Sequence, residues 1–120
     1  MRERGYTEDL LNYDGPKEAC GLFGVWAPGE DVARLTYFGL YAQQHRGQES
    51  AGIAVSDSDN ILVYKELGLV SQVFNEAALS TLQGDLGIGH VRYSTTGSTT
   101  WDNAQPAFKT DGDSSFALGH

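Results

Sequence analysis

The stretch Cys20-Gly-Leu-Phe-Gly-Val-Trp-Ala27 marks the point where the character of the chain changes. The nineteen residues before it, MRERGYTEDLLNYDGPKEA, are mostly polar, whereas the stretch itself is apolar and rich in residues that favour strands. It is too short for a helix and is followed by Pro28-Gly29, so it predicts a buried strand. We therefore predict that residues 1–19 are a leader and that the folded domain spans residues 20–120.

A helix and a hairpin are predicted next. Asp31 has the side chain of an N-cap, and apolar residues then recur at spacings of three and four as far as about His45. Gly47 supplies a natural stop for this amphipathic helix. Further on, the β-prone segments 52–55 and 61–64 flank turn-forming residues, which predicts a hairpin.

The remaining segments alternate between the two kinds of structure. Residues 70–82 carry a weaker helical pattern that is interrupted near Asn75, and residues 86–93 predict another strand. A hydroxyl-rich loop follows at 94–102, and a further strand begins at Phe116. Strands with helices between them in this order predict an α+β or layered α/β fold.

Composition narrows the functional classes. The chain has 120 residues and a net charge of −8, with eight Lys and Arg scattered along it. Nucleic acids and anionic membranes need clustered positive charge, so we predict neither as a partner. No apolar stretch is long enough to span a membrane, and the N-terminus lacks the apolar middle of a signal peptide. The single cysteine excludes an internal disulfide and a multi-cysteine metal site, and it fits a reducing cytoplasm.

Cys20 has two interpretations. A lone cysteine is most often a buried, inert core residue. Its place between a polar leader and the first strand, with Gly21 beside it, favours a reactive role instead. Cleavage before Cys20 would give one residue both a thiol and an α-amine, a base with a pKa of about 8.

Two further segments contain candidate residues. His45 is expected to cap carbonyls or pack at the helix end, and a Cys–His pair with Cys20 is the less favoured alternative. Arg46 has the position of a solvated charge at a helix end. His90 and Arg92 are two residues apart on a predicted strand and so share a face.

Arg92 at a strand end is suited to bind a carboxylate through two parallel hydrogen bonds. The loop hydroxyls of Ser94, Thr95 and Thr96 could complete the hydrogen bonds of such a ligand. An ordinary surface strand followed by a turn accounts for the same pattern equally well.

Three segments, taken in order, carry a family resemblance. Cys20-Gly-Leu-Phe-Gly24, His45-Arg-Gly-Gln-Glu-Ser-Ala-Gly-Ile53 and Gly89-His-Val-Arg-Tyr-Ser-Thr-Thr-Gly97 resemble the glutaminase domain of the amidophosphoribosyltransferase family. The resemblance covers residues 20–120. It implies a glutamine amidotransferase domain with the α+β fold of N-terminal nucleophile hydrolases, a four-layer αββα sandwich that is incomplete in this chain.

The resemblance also implies roles for individual residues. Cys20, freed by removal of the leader, is expected to attack the side-chain amide of glutamine, to form a glutamyl thioester and to release ammonia. Arg92 is expected to bind the α-carboxylate of glutamine, and Thr95 lies in the matching substrate loop. Arg46 and Gly47 match a segment near the nucleophile.

Other parts implied by the resemblance fall outside these 120 residues. They are an oxyanion-hole Asn-Gly pair expected directly after His120, and a phosphoribosyltransferase domain. We therefore predict that the chain as given has little or no activity. Magnesium and, in members with a leader, a 4Fe–4S cluster are implied for the later part of the protein, and we predict no metal or cofactor site in this segment.

The implied partners are glutamine and phosphoribosyl pyrophosphate, within a cytoplasmic homo-oligomer that makes phosphoribosylamine for purine synthesis. Two alternatives stay open at this point. One is the same glutaminase with another acceptor, as in glucosamine-6-phosphate or asparagine synthesis. The other is a non-catalytic glutamine-binding or interaction module that keeps the fold and is not processed.

Overall fold

The structure is a computed structural model and describes residues 20–93 and 100–120. The predicted leader, residues 1–19, and the loop residues 94–99, with Ser94, Thr95 and Thr96, lie outside the described residues.

A four-stranded antiparallel sheet forms the centre of the fold. Its strands are β1 (Gly21–Trp26), β2 (Gln48–Ser56), β3 (Ile61–Leu67) and β4 (Leu86–Tyr93), in the order β1-β4-β2-β3. The first predicted strand, the hairpin and the bounds of the strand at 86–93 are confirmed. The central strand β2 is buried along nearly its whole length because it pairs with β3 on one side and β4 on the other.

Helix α1 (Val32–Ala42) covers one face of this sheet. Its predicted N-cap is confirmed, since Asp31 Oδ1 accepts a hydrogen bond from the Arg34 amide at 3.0 Å. The helix ends three residues before the predicted end at His45. Gly47 lies in the turn that leads into β2, with a φ of 92° that favours glycine.

The predicted helical segment at 70–82 is two short helices, α2 (Val70–Val73) and α3 (Glu76–Thr81). They separate at Asn75, where the interruption was predicted. The Asn75 side chain accepts a hydrogen bond from the Ala78 amide at 2.8 Å and so caps α3.

Close packing of α1 on β4 forms the main core. A Cβ atom at Gly89 would lie 2.6 Å from Thr36 Cγ2 and 2.8 Å from Leu40 Cδ1, so only glycine allows this approach. The core residues on this face are less than a tenth exposed. They include Val32, Leu40, Ile53, Val55, Val70, Val73, Phe74, Leu79 and Val91.

A second, two-stranded ribbon follows a 3₁₀ turn at Trp101–Asn103, which overlaps the end of the predicted loop. The ribbon pairs β5 (Ala107–Asp111) with β6 (Ser114–Leu118). Strand β6 begins two residues before the predicted start at Phe116. Strand β5 was not predicted, because every residue in it is exposed and no alternation of burial marks it.

The described residues therefore form antiparallel sheets with helices packed on one face, which is the predicted α+β class. None of the helices in 20–93 or 100–120 has the length and apolar character needed to cross a membrane.

Candidate functional site

Three chain segments meet at one end of the four-stranded sheet. Cys20 directly precedes β1, Arg92 lies near the end of β4, and Arg46 and Gly47 directly precede β2. Neighbouring strands in this sheet are antiparallel. One end of the sheet therefore holds the start of β1, the end of β4 and the start of β2. The fold thus brings these four predicted site residues to one end of the sheet.

Strand register sets the relation between Cys20 and Arg92. Gly21 pairs with Val91 and Leu22 pairs with His90, so the same register continued by one residue puts Cys20 opposite Arg92. Residues that lie opposite each other in an antiparallel pair share a face, with Cβ atoms about 4.5–5.5 Å apart. This is the face opposite to helix α1.

The Cys20 side chain is exposed, and its Sγ donates a long hydrogen bond of 3.8 Å to the Tyr93 carbonyl. A thiol is a weak donor, so this contact orients the sulfur without holding it firmly. Gly21, the next residue, is closely packed by side chains: a Cβ atom there would collide with Gln43 Oε1 and lie 2.7 Å from Val91 Cγ2.

Tyr93 links the segments of the site, and the sequence did not single it out. Its hydroxyl donates to the Gln43 carbonyl at 2.8 Å and accepts from the His45 amide at 2.6 Å, while its backbone carbonyl accepts from Cys20. Burial raises the pKa of the Tyr93 phenol, and the hydrogen bond from His45 opposes that rise. Tyr93 therefore stays a neutral phenol that joins the end of α1 to the end of β4.

His45 itself is exposed, and its ring lies 6.3 Å from the Tyr93 ring. Within the described residues, the hydrogen bond of the Cys20 thiol goes to Tyr93 and not to His45. The structure thus gives no support to a Cys20–His45 pair.

Gln48 fixes the start of β2. The sequence analysis did not single out this residue either. The side chain is buried; its Nε2 donates to the Ser50 and Gly68 carbonyls at 2.7 and 2.8 Å, and its Oε1 accepts from the Val70 amide at 3.1 Å. These bonds hold the irregular register between Gln48 and Ser50. They therefore fix the point at which the chain leaves the Arg46–Gly47 turn.

Arg92 is partly buried, and its Nε has no hydrogen-bond partner among the described residues. Two further buried polar atoms, Ser50 Oγ and His90 Nδ1, are unpartnered within the same described part. Ser50 pairs with Arg92 in the register, and His90 lies two residues from Arg92. All three side chains therefore share the face of the sheet that carries Cys20.

One cavity among the described residues lies away from this site. It has a volume of about 400 Å³ at the other end of the sheet and is lined by α1 and α3 residues such as Asp31, Arg34 and Leu79. Its lining contains none of the predicted site residues.

The resemblance implied magnesium and a 4Fe–4S cluster for a later part of the protein and none for this segment. Within 20–93 and 100–120, no group of three or more His, Cys, Asp or Glu side chains could hold a metal ion. A 4Fe–4S cluster needs several thiolates, and the sequence has one cysteine.

Solved structures with the same fold define the class of this chain. A structure described as the allosteric regulatory enzyme of purine biosynthesis superimposes on 80% of the chain with a TM-score of 0.72 and 40% sequence identity. Glutamine phosphoribosylpyrophosphate amidotransferase from Bacillus subtilis, complexed with ADP and GMP, superimposes on 82% with a TM-score of 0.71 and 39% identity. The chain covers 21% of each. The predicted fold class, an incomplete α+β sandwich of the N-terminal nucleophile type, is confirmed.

The curated relatives of this chain share the name of one particular enzyme. Amidophosphoribosyltransferase of Mycobacterium tuberculosis is 66% identical over 108 residues, which is 89% of this chain and 20% of that protein. The Synechococcus elongatus enzyme of the same name is 64% identical over 94 residues, 78% of this chain and 19% of its own length. That of Bacillus subtilis is 42% identical over 112 residues, 92% of this chain and 23% of its own length.

The predicted resemblance to amidophosphoribosyltransferase is therefore confirmed. This chain spans about a fifth of the length of the curated relatives that it matches. No family model matches it.

Proposed function

We propose that residues 20–120 carry part of a glutaminase site in which Cys20 is the nucleophile and Arg92 binds the α-carboxylate of glutamine. The observation that carries this proposal is the register that puts an exposed thiol opposite a partly buried guanidinium on one sheet face. The similarity to amidophosphoribosyltransferases supports it.

The arrangement suits glutamine for a geometric reason. Arg92 extends from the strand end and can form two parallel hydrogen bonds to a carboxylate. Glutamine held in this way by its α-carboxylate has a side chain long enough to bring its amide towards the neighbouring thiol. Its binding would also supply partners for a guanidinium whose Nε lacks one among the described residues.

The nucleophile is expected to form when residues 1–19 are removed. The α-amine of Cys20 would then take the proton of its own thiol, and the sulfur would attack the side-chain amide carbon of glutamine. The tetrahedral intermediate collapses with loss of ammonia, which takes the proton back from the α-amine. Water then attacks the thioester carbon, releases glutamate and restores the thiol.

The remaining predicted residues would shape the surroundings of the thiol. Gly47, with its positive φ, lets the chain turn directly into β2 beside the site. Arg46 adds an exposed positive charge at the end of the sheet where Cys20 lies, and this charge suits an anionic ligand. Thr95 stays a prediction as a ligand of the substrate.

The wider activity is proposed from the names of the relatives. The ammonia would pass to phosphoribosyl pyrophosphate to form phosphoribosylamine, with magnesium at the acceptor site, in a cytoplasmic homo-oligomer. We expect this activity from the full-length gene product, since this chain spans about a fifth of the length of the relatives with that name.

A protection experiment tests the substrate class. Cys20 of the full-length gene product is alkylated with iodoacetamide alone, with L-glutamate, and with L-glutamate α-amide. We expect L-glutamate to slow the alkylation and the α-amide to leave it unchanged, because the amide lacks the carboxylate that Arg92 binds. Equal rates under all three conditions would refute glutamine recognition at this site.

A further inference from the structure

The His90 side chain makes one hydrogen bond that the proposed chemistry does not use. His90 has no exposed surface, and its Nε2 lies 2.7 Å from the backbone carbonyl of His120. A carbonyl oxygen only accepts hydrogen bonds, so Nε2 carries the proton and donates it. Burial lowers the pKa of His90. The hydrogen bond to His120 opposes this effect, and the charges of His120 and Arg92 add to it, so that the net shift favours the neutral ring.

The backbone of His120 is held from its other side as well. Its N–H donates to Gln105 Oε1 at 2.8 Å. The segment that contains Gln105 is anchored in turn, because Lys65 Nζ donates to the Ala104 carbonyl at 2.8 Å. Gly52, the cross-strand partner of His90, provides the space in which the Gln105 carbonyl and the Pro106 ring pack.

This backbone segment lies close to the proposed nucleophile. A Cβ atom at Gly119 would be 3.1 Å from Leu22 Cδ1 and 3.8 Å from His90 Cδ2. Leu22 and His90 form a register pair. Cys20 lies two residues from Leu22 on the same face, a distance of about 7 Å along a strand.

Packing does not account for a histidine at this position. With Nε2 protonated, Nδ1 is a buried acceptor, and it has no partner among the described residues. A buried polar atom without a partner costs more than a typical hydrogen bond contributes. An apolar side chain of similar size would fill the same space without that cost, so the bond to His120 is the distinctive contribution of His90.

We propose that His90 is a positioning residue of the glutaminase site, whose Nε2–H fixes the Gly119–His120 backbone beside Cys20. The inference rests on the proposed function. Loss of the bond lets this backbone move relative to the reacting amide, whereas the carboxylate contact of Arg92 stays intact. The expected defect is therefore in the chemical step and not in the affinity for glutamine.

Three substitutions in the full-length gene product test this role. His90→Gln keeps an N–H donor the same number of bonds from the backbone as Nε2. His90→Asn moves the amide to the position of Nδ1, and His90→Leu removes the donor altogether. The assay follows kcat and KM for glutamate release, and iodoacetamide alkylation of Cys20 serves as a control for an intact, exposed thiol.

We expect His90→Asn and His90→Leu to lower kcat by about 10- to 100-fold with KM changed less than about 3-fold, and His90→Gln to stay within about 5-fold of the parent kcat. Equal alkylation rates in all proteins would show that Cys20 remains exposed in the variants. A parent kcat in His90→Leu, or a His90→Gln as impaired as His90→Leu, would overturn the inference. A parent protein that releases no glutamate would instead overturn the proposed function.

Discussion

The two faces of the four-stranded sheet differ in what packs on them and in what their side chains do. On the face towards α1, Ile53 and Val91 are fully buried, and Val32 and Leu40 of the helix pack against the sheet. On the other face, residues 104–106 and Gly119 contact the sheet near its centre, while the Leu22 side chain is 52% exposed.

The polar side chains of the proposed site lie on one of the two faces. The face away from α1 carries Cys20, Arg92 and His90, and the unpartnered buried atoms among the described residues belong to this face. Burial of apolar surface is the dominant source of stability, whereas buried polar atoms without partners are destabilising. The comparison therefore separates a face that stabilises the fold from a face that carries the proposed chemistry.

The largest expected effect is the loss of activity in Cys20→Ala. The exposed thiol makes one weak hydrogen bond, so its removal should leave the stability unchanged. Glutamate release by the full-length gene product should fall by at least about 1000-fold, as expected for loss of a nucleophile. A glutamate assay measures the loss of activity, and a urea titration checks that the stability is unchanged. Full glutamate release from the variant would refute the assignment of Cys20.

Two truncations of apolar side chains, one on each face, compare the contributions of the faces to stability. Ile53→Ala on the α1 face should destabilise the protein by about 2–5 kcal/mol. Leu22→Ala on the other face removes a side chain that is half exposed, and it should cost about 1 kcal/mol. Urea unfolding of both variants of the full-length gene product measures the difference. Equal losses would mean that the two faces contribute alike.

Arg92→Ala tests whether Arg92, on the face away from α1, binds substrate or only supports the fold. The variant loses the charged hydrogen bonds to the substrate carboxylate, so the glutamine KM should rise by about 10- to 100-fold. Phosphoribosylamine formation with ammonia supplied directly should change little. Arg92→Lys is the matched control, because it keeps the charge without the paired donors. Equal losses with glutamine and with ammonia would make Arg92 a structural residue.

The smallest expected effect is on the pH dependence of stability. Burial lowers the pKa of His90 below its ordinary value of 6.5, so below that pH the unfolded chain takes up a proton that the folded chain does not. Stability should therefore fall as the pH drops from about 6.5 towards the folded pKa, by at most about 1.4 kcal/mol per pH unit.

His90→Gln removes this contribution and leaves the carboxylates in place, including Glu76, whose pKa is lowered by its hydrogen bonds with Arg34. Urea titrations near pH 7 and near pH 5.5 compare the two proteins. An identical pH dependence in both would show that His90 does not titrate differently on folding.

Features of the fold that depend on interactions between residues close in the sequence could be predicted. The bounds of β4 and the shared face of His90 and Arg92 followed from strand alternation. The cap at Asp31 and the break at Asn75 followed from side chains that bond to nearby amides. These predictions were confirmed because the interactions involved span only a few residues.

Features that depend on distant contacts could not be predicted in the same way. Tyr93 joins Cys20, Gln43 and His45 through bonds that span between 48 and 73 residues. The one signal for it in the sequence is an aromatic residue with a polar end directly after Arg92. The contact between His90 and His120 spans 30 residues and depends on the whole sheet being formed. Strand β5 gave no signal, since its residues are exposed throughout.

The most direct test of the account is the intact mass of the full-length gene product after incubation with 6-diazo-5-oxo-L-norleucine, a reactive glutamine analogue. We predict a protein that begins at Cys20 and carries one adduct, with no adduct in Cys20→Ala. That result would establish processing, the nucleophile and glutamine recognition together. A protein that retains residues 1–19 and carries no adduct would contradict the account and favour a non-catalytic glutamine-binding module.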